Sequence, residues 1–166
     1  MSVVKRLAAI ALGLAALWPR AASAQEYLPA GAVYVGSGIE GAGRGFQRAR
    51  TRLRIGGELR VDEAPDEAIF AAVLVDIEPK TAFGGELRYV HTIGSHVAAS
   101  AGAIAYLAPG TLLGPCAGLE VRVPLASKTY LVAGPEAAVF ALGGDLPDNV
   151  VVWQALFQLG FRADLK

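Results

Sequence analysis

The chain is poor in several things at once. Of its 166 residues only one is a cysteine, Cys116. A single thiol excludes an internal disulfide framework and any zinc site built from a cysteine cluster. Neither charge sign is in excess, with 15 Lys and Arg against 15 Asp and Glu. That balance gives no reason to expect a nucleic-acid partner. Helical periodicity is almost absent, and no apolar run approaches the ~18 residues of a membrane helix. What is abundant is apolar surface. Hydrophobic residues make up 54% of the chain, which excludes a disordered polymer, and the length fits one domain with a full core.

The first 24 residues read as a secretory signal. Lys5 and Arg6 form a positive start, and Leu7 to Trp18 form an apolar stretch too short to span a bilayer comfortably. Arg20 follows, and Ala22-Ser23-Ala24 is an A-x-A cleavage site before Gln25. A lipoprotein is excluded, because its lipid-bearing Cys must follow the cleavage site. Removal of Lys5, Arg6 and Arg20 leaves three fewer basic than acidic residues, so the expected mature domain, 25–166, carries a net charge of −3.

Alternation with period 2 runs through nearly all of that domain. Eight strands are predicted: Ala32–Gly43, Arg48–Val61, Ala68–Ile77, Thr81–Ile93, His96–Leu107, Cys116–Leu125, Thr129–Leu142 and Val150–Leu165. Their connections are short and rich in Gly, Pro, Asp, Asn and Ser, as hairpins require, so sequential strands should be antiparallel neighbours. The second strand is the clearest. Leu53, Ile55, Leu59 and Val61 alternate with Arg50, Arg52, Arg54, Glu58 and Arg60. The last strand sets Val151, Trp153, Phe157, Leu159 and Phe161 against Gln154, Gln158, Arg162 and Asp164. The third, fifth and seventh strands are apolar on both faces, and Pro135 inside the seventh predicts a bulge or irregular end there.

Alternation alone does not say which face is inside. A soluble barrel or sandwich turns the apolar face inward, whereas a membrane barrel turns it outward, against lipid. The charged face is selective: Glu40, Glu58, Glu86, Glu120 and Glu136 stand against Arg50, Arg52, Arg54, Arg60, Arg88, Arg122 and Arg162, and no strand interior contains a Lys. Lys80 and Lys128 are in turns and Lys166 is terminal. Arginine suits confined ion pairing, because its fork bonds carboxylates bidentately. An eight-stranded lumen, just wide enough for side chains to fill, is such a place. The apolar face carries no Asp, Glu, Lys or Arg between the turns, and a charge facing mid-bilayer costs about 2–4 kcal/mol. Closing the sheet also removes exposed edges.

On these patterns, from Ala32 to Leu165, the sequence resembles the small eight-stranded outer-membrane β-barrel proteins of Gram-negative envelopes. The resemblance implies an all-β, antiparallel up-and-down (meander) transmembrane-type barrel, a porin-like wall with an interior filled by the twelve Glu and Arg residues just named. It implies outer-membrane lipid as the surroundings, a structural or loop-mediated binding role, and a monomer. The last strand looks like the C-terminal signal read by the outer-membrane assembly machinery. The alternative that stays open is a soluble periplasmic, lipocalin-like barrel with its apolar face around an apolar ligand.

Other motifs carry little. Gly36-Ser-Gly38-Ile-Glu-Gly41 matches G-x-G-x-x-G, but a turn and a strand follow where a dinucleotide fold needs a helix. Glycines that let a strongly curved strand approach its neighbours explain it better. His91 and His96 straddle a turn with no Cys nearby, and Cys116 has no base partner. Asp62 to Glu67 reads as a solvated acidic turn. No catalytic, metal or cofactor site is expected.

Overall fold

A strand with one apolar and one charged face needs a different environment on each side, and a sheet closed on itself supplies both. The computed structural model describes residues 27–78, 81–144, 146 and 150–166. The proposed signal segment, and parts of the connections around Pro79 and Asp148, lie outside the described residues. Eight strands form a closed antiparallel barrel in sequence order: β1 Tyr27–Ala42, β2 Gly45–Val61, β3 Ala64–Glu78, β4 Ala82–Ile93, β5 Val97–Ala108, β6 Leu112–Ala126, β7 Thr129–Phe140 and β8 Val152–Asp164. β8 closes on β1 in unbroken register from Ala30↔Asp164 to Ala42↔Val152. The even strand number puts both ends of the barrel wall on one side. Turns of two or three residues at Asp62-Glu63, Gly94–His96 and Ser127-Lys128 lie at that same end.

The strand number and order match the sequence reading, while several boundaries move. β1 starts at Tyr27 rather than Ala32, β3 at Ala64 rather than Ala68, and β6 at Leu112 rather than Cys116. In each case a neighbour's ladder recruits Gly- or Pro-containing sequence that looks like a loop by itself. Gly114 and Pro115, for example, pair with Ile104 and Ala103 of β5. Asp66 and Glu67 therefore belong to β3, and the acidic turn shrinks to Asp62-Glu63.

The bulge expected at Pro135 does not form. The β6–β7 ladder keeps one register on either side of it, from Gly118↔Glu136 to Val121↔Ala133, and Pro135 faces Phe157 in an unshifted β7–β8 ladder. Register shifts fall instead near the hairpins, as at Glu40/Gly41, Arg60/Val61 and Pro124/Ala126. The ends can absorb an extra residue without reversing the faces of the wall.

Even-numbered positions point into the barrel and odd-numbered ones outward. Buried charges include Arg52, Arg54, Glu58, Arg88 and Arg162, while Val33, Ile55, Val73, Leu87, Leu119 and Phe157 are exposed. This overturns the lipocalin-like alternative, which needs the apolar face inside. Tyr27, Tyr89 and Phe161 are exposed toward the end with the termini, and Phe46 and Phe83 toward the other. Trp153 lies across Gly41, where a Cβ would fall 2.3 Å from its ring, and its Nε1 donates to the Gly43 carbonyl at 3.1 Å. Gly38 marks the tight curvature expected of its motif, since a Cβ there would sit 2.1 Å from the Ala155 carbonyl oxygen.

Candidate functional site: the charged interior

Three inward positions of β2 carry Arg50, Arg52 and Arg54, a row of like charges two residues apart. Such a row is tolerable out of water only if carboxylates on neighbouring strands neutralise it. The barrel brings four of them: Glu40 from β1, Asp76 from β3, Glu86 from β4 and Glu136 from β7. Arg50 donates to Glu40 at 2.5 Å and to Asp76 at 2.6 Å. Arg52 donates to Asp76 and Glu136, both at 2.9 Å, and also to the Tyr106 hydroxyl and Gln154. Arg54 reaches Glu86 and Glu136 at 2.9 Å. Arg88 of β4 closes the set on Glu86 at 2.6 Å and Glu136 at 2.9 Å. Tyr106 donates to Asp76 at 2.7 Å and Gln154 to Glu40 at 2.7 Å. Four guanidinium groups thus meet four carboxylates in one central cluster. Arg48, at the rim, adds a half-exposed contact to Glu40 at 2.7 Å.

A second cluster lies nearer the end with the termini. Glu58 accepts from Arg122 at 3.0 Å and from Arg162 at 3.1 Å. Arg122 also holds Glu120 at 2.5 Å, and Asp164 takes Arg60 and Arg162 at 2.8 Å. Tyr34 stands between the clusters. The Arg54 guanidinium lies 4.4 Å from its ring centroid, and its hydroxyl donates to Glu120 at 3.5 Å.

Apolar side chains fill the remaining interior in two groups. Leu74, Ile104, Tyr106, Phe140 and Val152 pack toward the loop end with Leu112 and Leu146. Phe70, Val90, Ala98 and Val132 pack around Tyr34 in the other half, with Phe70 edge-on to Tyr34 at 6.1 Å. Phe70, Leu74, Ala98, Ile104, Tyr106, Val132 and Phe140 among them are the inward residues of the three strands that read as apolar on both faces. Cys116 is buried in the loop-end group. His91 and His96 are exposed, His96 beside the Ser95 hydroxyl at 2.5 Å. Among the described residues no three His, Cys, Asp or Glu side chains converge as a metal site would require.

The inner face therefore holds Glu40, Arg50, Arg52, Arg54, Glu58, Arg60, Glu86, Arg88, Glu120, Arg122, Glu136 and Arg162, divided between two clusters. Sequence reasoning missed Asp76, Tyr106, Gln154, Tyr34 and Asp164 as partners. The parity that places Phe70, Ala72 and Leu74 inward places Asp76 there too, and that was the available signal.

No protein-family model and no curated protein matches the chain. Solved structures do. Neisserial surface protein A (NspA) is similar with a TM-score of 0.56 at 14% identity, covering 84% of this chain and 97% of that one. A de novo designed transmembrane β-barrel gives 0.52 at 9% identity, over 83% and 95%. Ail, the attachment invasion locus protein of Yersinia pestis, solved with the heparin analogue sucrose octasulfate, gives 0.50 at 12% identity, over 81% and 98%. At these identities the likeness is one of fold. The chain has the fold of the small eight-stranded outer-membrane β-barrel proteins.

Proposed function

We propose that this protein is an outer-membrane β-barrel with a side-chain-filled interior, a structural or loop-binding component of the cell envelope that is neither a pore nor an enzyme. The observation that carries this reading is the inversion of the wall. Arg162, Asp76 and Glu40 have at most 2% of their surface exposed, whereas Val73, Leu87 and Phe157 expose more than half. In water that coat would be a large apolar patch inviting association; in a bilayer it is the required surface. Lipid is then the principal partner. The β8 strand, with Trp153, Phe157, Leu159 and Phe161 on its outward positions, is the segment the assembly machinery would engage. The mutual pairing of interior Arg and carboxylate groups favours a plug over a conduit, and the apolar group at the loop end favours the same. A monomer satisfies the fold, because the closed sheet leaves no edge strand to pair.

The test is fractionation followed by carbonate extraction and gel mobility with and without boiling. The reading expects recovery in the outer membrane and a mobility shift on boiling. Recovery in the soluble periplasm would contradict the location. In a planar bilayer the purified protein should give no conductance steps; regular steps would contradict the plug while leaving the location intact.

A further inference from the structure

Between the two ion-pair clusters lies a cavity of about 20 Å3, whose lining includes Tyr34, Arg54, Glu58, Arg88, Glu120 and Gln158. Three of these side chains carry a buried polar atom for which the protein supplies no partner: Nε of Arg54, Nε of Arg88 and Oε1 of Gln158. All three residues are more than nine-tenths buried, at 4%, 3% and 4% exposure. A void of roughly 10–15 Å3 or more admits one water, provided two to four polar groups hold it. The lining also excludes other occupants. A cation would face Arg54 and Arg88, and an anion would face Glu58 and Glu120. The two Nε–H groups need an acceptor, while the amide oxygen needs a donor. One water meets both demands, because its oxygen accepts from the guanidinium groups while its hydrogen is donated to Gln158.

We propose that this cavity is a hydration site, in which an ordered water held by Arg54, Arg88 and Gln158 joins the central cluster to the one near the termini. Arg54 and Arg88 belong to the first cluster, and Glu58 and Glu120, on the same cavity wall, to the second. Residues of both networks, with Tyr34, thus line one site. The water is therefore a structural member of the interior rather than a guest.

The experiment uses the isotope-labelled protein purified from cell envelopes in detergent. Nuclear Overhauser contacts between arginine Nε–H protons and water are recorded, and a crystal structure is inspected for density within hydrogen-bonding distance of the three atoms. The proposal expects contacts of a slowly exchanging water at Arg54 and Arg88, none at Arg52, whose Nε donates to Asp76, and a density peak between the three groups. Gln158→Leu removes the acceptor and should abolish both contacts while leaving the Arg52 Nε–H resonance, which reports its bond to Asp76, unshifted. If that variant does not fold, the unmodified protein still decides the matter. Absence of a water contact at both Nε–H groups, an empty cavity, or an ion in it would overturn the proposal.

Discussion

The central cluster and the cluster near the termini use the same chemistry in different surroundings. Around Arg52, Arg54 and Arg88 every paired side chain is 4% exposed or less, and the apolar group of Leu74, Ile104 and Phe140 lies toward the loop end. Around Arg60 and Asp164 the side chains are 18% and 24% exposed, so water reaches the rim of that cluster. Each cluster has one carboxylate that takes three guanidinium groups, Glu136 in the centre and Glu58 near the termini, whereas Glu120 takes one, that of Arg122, which also holds Glu58. Pairing out of water gives no guarantee of net stability, but removing one partner there strands the others. At a hydrated rim, water takes the vacated place.

That contrast can be broken most directly at Glu136. Glu136→Ala leaves Arg52, Arg54 and Arg88 short of an acceptor at once, and should destabilise the barrel by about 3–5 kcal/mol, read from denaturant unfolding in lipid vesicles. A loss below about 1 kcal/mol would mean that water enters the central cluster freely. Next in size is the outer wall, where the sign of burial is reversed. Val73→Arg, near the middle of β3, should cost about 2–4 kcal/mol, and Leu59→Arg, nearer a hairpin, should cost less because the penalty falls with depth. Equal folding yields for both variants and the parent would place the coat in water. Glu120→Ala should cost about 1.5 kcal/mol, the low end for a hydrogen bond to a charged group, because Arg122 keeps Glu58. An unchanged unfolding midpoint would remove Glu120 from the network. Smallest is Asp164→Ala, at about 0–1 kcal/mol and shrinking further in high salt. A loss as large as that of Glu136→Ala would erase the distinction between the two regions.

The strand count, the meander order and the two faces were legible because a period of 2 survives wherever one face must be buried and the other must not. The interior pairing was legible only in part. Arg50, Arg52 and Arg54 alternate with apolar residues and announce themselves. Asp76 lies inside the predicted third strand, but the other inward residues there, Phe70 and Leu74, are apolar, so the strand's own pattern does not mark it as an ion-pair partner. Tyr106 and Gln154 become partners only because closure brings β5 and β8 across from β2, a relation between residues 54 and 102 positions apart in the chain. Strand starts were the least legible. Leu112 to Pro115 and Tyr27 to Gly31 each contain a Gly and a Pro, which disfavour strands, and are held by a neighbour's ladder.

The central claim is that the odd-numbered face meets lipid and the even-numbered face meets protein. Nitroxide labels at Val73→Cys, Leu87→Cys and Phe157→Cys, each on a Cys116→Ala background in lipid vesicles, test it by collision with oxygen and with a water-soluble nickel complex. The account predicts high oxygen and low nickel accessibility at all three positions. High nickel accessibility there would contradict it.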